Sequence, residues 1–337
     1  ALDFFSSLSV AIVALFLGLG LINEQMVLLP ALTVLILAPE YFLPIRDFGT
    51  DYHATLDGKN ALTAITQIIE LPEQERNEST DIPQWNEHST LNVTNLSLQY
   101  NESNESSLKD ISFSWKGFGK IGIIGASGAG KSTLINVLSG FAQPTSASIN
   151  INNETMHSFN TKAWQQQVLY IPQHPYIFND TIAHNVSFYT PNATNEEIQE
   201  ACHHAGLSKV IASLPNGLDE RIGESGRVLS GGQEQRIAFA RAFLDQSRKI
   251  LLFDEPTAHL DIETEWELKQ NILPLLEGRL VFFATHRLHW MMEMDYIIVL
   301  DQGKIVEMGT HEQLLKAQGY YTQLIQAQMH GTEEQDG

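Results

Sequence analysis

Cysteine is nearly absent from this chain: among 337 residues, Cys202 is the single one. That excludes a disulfide framework, and a reducing compartment fits the soluble part. Positive charge is also scarce, with 20 Lys and Arg against 40 Asp and Glu and a formal net charge of −20. Nucleic acid is excluded as a partner on that ground, because phosphate contacts need clustered cations. No internal repeat is present, and no basic leader or small-residue cleavage site accompanies the first apolar run. Cys202-His203-His204 lacks a second cysteine and any ligand spacing, so it reads as helix surface and no metal is assigned to it. Asn-x-Ser/Thr triplets such as Asn92-Val93-Thr94, Asn101-Glu102-Ser103 and Asn185-Val186-Ser187 follow from an Asn/Ser/Thr-rich composition.

Long apolar runs are confined to the start. Phe4 to Ile22 is an uncharged run of about 19 residues, enough to cross a hydrocarbon core of about 30 Å. After the polar break Asn23-Glu24-Gln25, a second run from Met26 to Pro39 is shorter, and Tyr41-Phe42-Leu43 extends it past Glu40. The alternatives are two core helices of a soluble protein, or a signal-peptide core for the first run. The break carries no Lys or Arg, whereas Arg46 and Lys59 follow the second run, which places the sequel on the cytoplasmic side. Two transmembrane helices are therefore expected, with the lipid bilayer as a partner. Leu56, Ala61, Ile65 and Ile68/Ile69 continue the second helix along one face. Because the chain begins at Ala1, inside or just before such a helix, a piece of a longer polypeptide is expected.

The chemistry is concentrated further on. Ile121 to Ile124 reads as a buried parallel strand, and it runs into Gly125-Ala126-Ser127-Gly128-Ala129-Gly130-Lys131-Ser132-Thr133 and then a helix. Glycines at these positions let backbone N–H groups close round phosphates, and the helix start adds its positive dipole end. Lys131 is expected to reach the β/γ oxygens of ATP, and Ser132 to ligate Mg²⁺. A second apolar strand, Ile250 to Phe253, ends in Asp254-Glu255, the first suited to the Mg²⁺ shell and the second to deprotonating water. Leu229-Ser230-Gly231-Gly232-Gln233 opens a helix expected over Glu234 to Leu244 and makes a second anion cradle. One nucleotide does not need two cradles from one chain, so this one is expected to serve a nucleotide held by another subunit.

This ordered set resembles the nucleotide-binding domain of ATP-binding cassette transporters, from about Leu91 to Gln326. The resemblance implies an α/β fold: a P-loop NTPase core with an antiparallel β subdomain and a helical subdomain, preceded by the two transmembrane helices. The expected domains are 1–70 as the end of a membrane domain, 71–90 as a linker, 91–330 as the nucleotide-binding domain and 331–337 as a disordered acidic tail. An ATPase using ATP and Mg²⁺ is implied, with Tyr100 stacking on adenine and Gln173 contacting Mg²⁺ and water. Asp261 would lie in the loop crossing the dimer interface, and His286 would be the switch histidine near the γ-phosphate. Thr257 and His259 depart from the small residues common in that interface loop, and Pro256 departs from the usual alanine, but no catalytic group is lost.

The apolar stub narrows the resemblance. Leu37 to Arg46 and Gly49 to Ala54 are similar to the last membrane helix of the CydD half of CydDC-type heterodimeric exporters. That implies export of the small molecules cysteine and glutathione, support of cytochrome bd assembly, and a CydC-like half-transporter as partner in an ATP-sandwich heterodimer at the cell membrane. Export of lipid, drug or haem is the alternative within the family; a soluble cassette protein and a catalytically dead subunit are the rivals outside it.

Overall fold

The computed structural model describes residues 2–70, 82–99, 107–258, 260 and 262–333. Its chain divides into two compact units, Ala1–Glu75 and Arg76–Gly337.

The first unit is two helices, α1 (Leu2–Ile22) and α2 (Leu28–Ile69). The continuation read from Leu56 onward is part of one helix of 42 residues, with Pro39 and Pro44 inside it. Most large apolar side chains here are exposed, Phe16, Leu29 and Ile36 among them. Among the described residues, no helix is long and apolar enough to cross a membrane.

The second unit opens with β1 (Thr90–Leu98), β2 (Leu108–Lys116), β3 (Gly119–Ile124) and α3 (Lys131–Leu138). There follow β4 (Ser146–Ile151), β5 (Glu154–Met156), α4 (Lys162–Gln165), β6 (Val168–Ile171), β7 (Asp180–Thr181) and α5 (Ile182–Val186). A helical stretch then holds α6 (Asn195–His204), α7 (Ser208–Ala212), the short β8 (Arg221–Ile222) and α8 (Gly231–Leu244). The chain closes with β9 (Ile250–Asp254), α9 (Ile262–Leu276), β10 (Leu280–Ala284), β11 (Tyr296–Asp301), β12 (Lys304–Gly309), α10 (His311–Ala317) and α11 (Tyr320–Glu333).

Two larger sheets organise this unit. An antiparallel sheet has the order β2-β1-β4-β5, and a six-stranded sheet has the order β12-β11-β3-β10-β9-β6. In the second, β11, β3, β10, β9 and β6 run parallel, with β12 antiparallel at one edge. The central strands β9 and β10 are apolar on both faces because both are covered. Ile250 and Leu252 of β9 join a core with Ile121, Ile123 and Phe282, whereas Leu251 and Phe253 join one with Val281, Phe283 and Phe239. Parallel running brings Ile123, Ala284 and Asp254 to one level at the C-terminal edge.

Two boundaries differ from the expectation. Residues 82–89, read as linker, are packed: Ile82 and Trp85 are buried, and the Trp85 indole donates to Gly117 O at 3.0 Å. A large apolar ring among polar neighbours anchors the segment and overrides its loop-like composition. Residues 331–333, read as disordered, continue α11, and the rest of that tail lies outside the described residues.

Candidate functional site

Four strand ends of the parallel sheet supply the first cleft. After β3 the chain turns through Gly125 to Gly130, and α3 begins at Lys131. Gly130 is the N-cap at φ 105°, a left-handed conformation that an L side chain resists, and a Cβ there would lie 3.1 Å from Ser107 O. Gly125 meets a closer approach, since a Cβ would fall 2.2 Å from Leu300 O. With no cap side chain at Gly130, the first-turn N–H groups of α3 face an incoming anion without a competitor.

Lys131 is 5% exposed, yet its ammonium does not point into the core. It donates to Gly125 O at 3.0 Å and Ala126 O at 3.2 Å, and lies 3.5 Å from Glu255 Oε1. Ser132 Oγ donates to Asp254 Oδ1 at 2.8 Å. Ser127, Gly128, Gly130, Lys131, Ser132 and Thr133 line a cleft of about 670 Å³ together with Gln173 and Glu255. Gly125 and Ala129 are not on its wall; Ala129 is buried behind the loop.

Asp254 and Glu255 are neighbours with opposite electrostatics. Burial raises the Asp254 carboxyl above its usual range, with the Ser132 hydrogen bond opposing and the Glu255 charge adding. Glu255 is held below the usual range, first by its hydrogen bond with His286, against burial, with Lys131 assisting. His286 Nδ1 lies 2.9 Å from Glu255 Oε2. The Glu255 backbone sits at φ 47°, a left-handed conformation rare for a side chain of this kind. Its N–H donates to Ala284 O at 2.8 Å, which ties this turn to the end of β10. A serine hydroxyl against a buried carboxylate, with the Gln173 amide in the same cleft, is an all-oxygen donor set that fits Mg²⁺.

Ser230, Gly231, Gly232 and Gln233 lie elsewhere. Ser230 is the N-cap of α8, whose start is Gly231 rather than Glu234 because a capping box extends it. Gln233 N donates to Ser230 Oγ at 3.3 Å, and Ser230 N donates to Gln233 Oε1 at 3.1 Å. These four residues line a second cleft of about 810 Å³ with Lys209, Arg236 and Leu260. It shares no lining residue with the first. Tyr100 and Asp261 lie outside the described residues.

Several participants carry no local signal in the sequence. Lys109 and Gln302 line the first cleft because β2 and the β11–β12 turn reach it, and Lys109 N donates to Gly303 O at 2.7 Å. Gln235, buried on α8, donates to Pro172 O at 3.2 Å, immediately before Gln173. Arg287 stands next to His286 in sequence, but only the fold gives it partners, Glu265 and Leu260 O.

Residues 108–258 match the ABC transporter family model. This chain carries an ABC transporter ATP-binding domain. Together with its helical unit, the domain is 53% identical to the glutathione/L-cysteine transport system ATP-binding/permease protein CydC of Bacillus subtilis (strain 168), over 98% of this chain and 57% of that protein. It is 38% identical to the ATP-dependent lipid A-core flippase of Pseudomonas fluorescens (strain Pf0-1), over 69% of this chain and 39% of the flippase. A solved structure of a bacterial Atm1-family ABC exporter with ATP bound matches with a TM-score of 0.70 and 28% identity, covering 97% of this chain and 57% of that one. The chain spans about half the length of the curated relatives it matches. The relative at 53% identity is named CydC, whereas the apolar stub was read as similar to CydD.

Proposed function

We propose that this chain is the ATP-hydrolysing half of an ABC exporter of low-molecular-weight thiols, cysteine or glutathione, and that it thereby supports cytochrome bd assembly. The observation that carries the ATPase reading is the convergence of Lys131, Ser132, Asp254, Glu255 and Gln173 at one sheet edge. The thiol substrate is supported by the name of the 53% identical relative. Similarity to a lipid flippase at 38% identity keeps lipid, drug or haem export as the second reading. The helical unit is proposed to be the last two membrane helices, because exporters match along nearly the whole chain and its apolar side chains are exposed. The ATP-binding domain would then face the cytoplasm.

In this reading the loop N–H groups and Lys131 bind the β- and γ-phosphates, while Ser132, Asp254 and Gln173 would hold Mg²⁺. Mg²⁺ held there would supply charge neutralisation for the transferred phosphoryl group. Glu255 accepts the proton of the attacking water, and the hydrogen bond to His286 fixes the carboxylate in place for it. Thr133 and Ser127 complete the phosphate cradle, Tyr100 stacks on adenine, and Asp261 crosses to the partner. Ser230 to Gln233 cover a nucleotide held by a second half-transporter, CydC-like or CydD-like. Closure and hydrolysis then alternate the exporter between inward- and outward-facing states.

The test is Glu255→Gln in the assembled transporter. It should keep ATP affinity and lower the hydrolysis rate at least about 100-fold. Normal turnover would remove Glu255 from the mechanism.

A further inference from the structure

An ion pair joins half-buried Arg287 to buried Glu265 and has no part in the chemistry just described. Glu265, in the first turn of α9, is 2% exposed. Trp290 Nε1 donates to its Oε1 at 2.8 Å, His289 Nε2 lies 3.3 Å from the same oxygen, and Arg287 donates to Oε2. The other terminal nitrogen of Arg287 donates to Leu260 O at 3.0 Å, and its backbone N–H donates to Thr285 Oγ1 at 3.0 Å. A guanidinium fork with one prong on a carboxylate and one on a carbonyl fixes both in a single geometry.

What that geometry fixes is Leu260. Its side chain lies against the Ser230–Gln233 turn, since a Cβ at Gly232 would be 3.0 Å from Leu260 Cδ2. Leu260 also lines the Ser230 cleft. Arg287 in turn follows His286, which holds Glu255. One continuous run of contacts therefore joins Glu255, His286, Arg287, Leu260 and Gly232. We propose that Arg287 and Glu265 are a positioning pair that locks Leu260, and with it the Gly232 wall of the second cleft, to the His286–Glu255 end of the first.

The pair makes each chain's cradle for its partner's nucleotide sense the state of its own hydrolytic cleft. This rests on the reading of the first cleft as the site of ATP hydrolysis and the second as the cover for a partner's nucleotide. Adjacency alone does not establish such coupling; non-additivity does.

The experiment measures kcat and KM for ATP, with thermal unfolding, on the assembled transporter carrying Arg287→Gln, Glu265→Gln, both together, or Arg287→Lys. Each single change to Gln should lower kcat about tenfold or more with KM within about twofold, as expected for misplaced catalytic groups. The double variant should be no slower than the worse single. Arg287→Lys keeps the charge but reaches one acceptor at a time, so it should fall between wild type and Arg287→Gln. Wild-type kcat in Arg287→Lys, multiplying losses in the double variant, or losses that only track the unfolded fraction would overturn the pair. If Arg287→Gln does not fold, Arg287→Lys decides alone. A Glu255→Gln control separates the two failures: normal turnover there sinks the hydrolytic reading, whereas a dead control beside normal Arg287 variants sinks only the pair.

Discussion

Glu255 holds two features at once that ordinary sequence statistics disfavour. Its backbone is left-handed, at a cost of about 1–3 kcal/mol, and its carboxylate is stabilised ahead of a second carboxylate. Glu265 shows the same logic away from the chemistry. Burial alone would raise its carboxyl, but the hydrogen bonds from His289 and Trp290 and the charge of Arg287 bring it down to about 2. A depressed carboxyl stabilises the fold above its unfolded value, near 4.5, and loses that contribution as pH falls towards 2. Acid unfolding followed by fluorescence should therefore show a limb between those values, worth on the order of 3 kcal/mol, that Glu265→Gln flattens. Cys202 makes a simpler case. The thiol is buried and pushed up to about 12 by that burial, so a maleimide should label it only after denaturation. The sequence shows Cys202 as a residue among histidines; its inertness comes from α8 packing over α6, which no local pattern encodes.

Among the elements, the strands were the most legible. The strand over Ile250 to Phe253 was readable to within one residue, because a strand covered on both faces is a short continuous apolar run. The phosphate loop and Asp254-Glu255 were equally legible, since their chemistry is local. Lys109, Gln302 and Arg287 were not, because each acquires its role from a strand or helix distant in sequence. Trp85 was hidden by the polar company it keeps. The start of α8 was displaced by three residues because its capping box lies within the glycine-containing turn. That box separates two properties of one position. Ser230→Ala should cost about 1 kcal/mol in thermal stability through the lost cap and also slow hydrolysis in the assembled transporter. Ser230→Asp should keep the cap, because aspartate serves as well there, yet repel the anion. Its melting temperature should match wild type while its hydrolysis stays low. Equal activity of the aspartate variant and wild type would show that no phosphate approaches Ser230.

At the scale of the molecule, two clefts on one ATP-binding unit share no lining residue. In the proposed function each cleft is a half-site that a second subunit completes. Turnover per chain should then rise with the concentration of the assembled pair, and Ser230→Arg should abolish that rise without weakening nucleotide binding to Lys131. Steady-state rates over a dilution series, beside equilibrium ATP binding, check both. The helical unit adds a mechanical consequence. At 1.5 Å per residue, the 42 residues of α2 run about 63 Å along the helix axis, roughly twice the thickness of a hydrocarbon core. Pro39 and Pro44 each remove one i→i−4 hydrogen bond part-way along that length, so bending of α2 is concentrated there and the stretches on either side pivot about it.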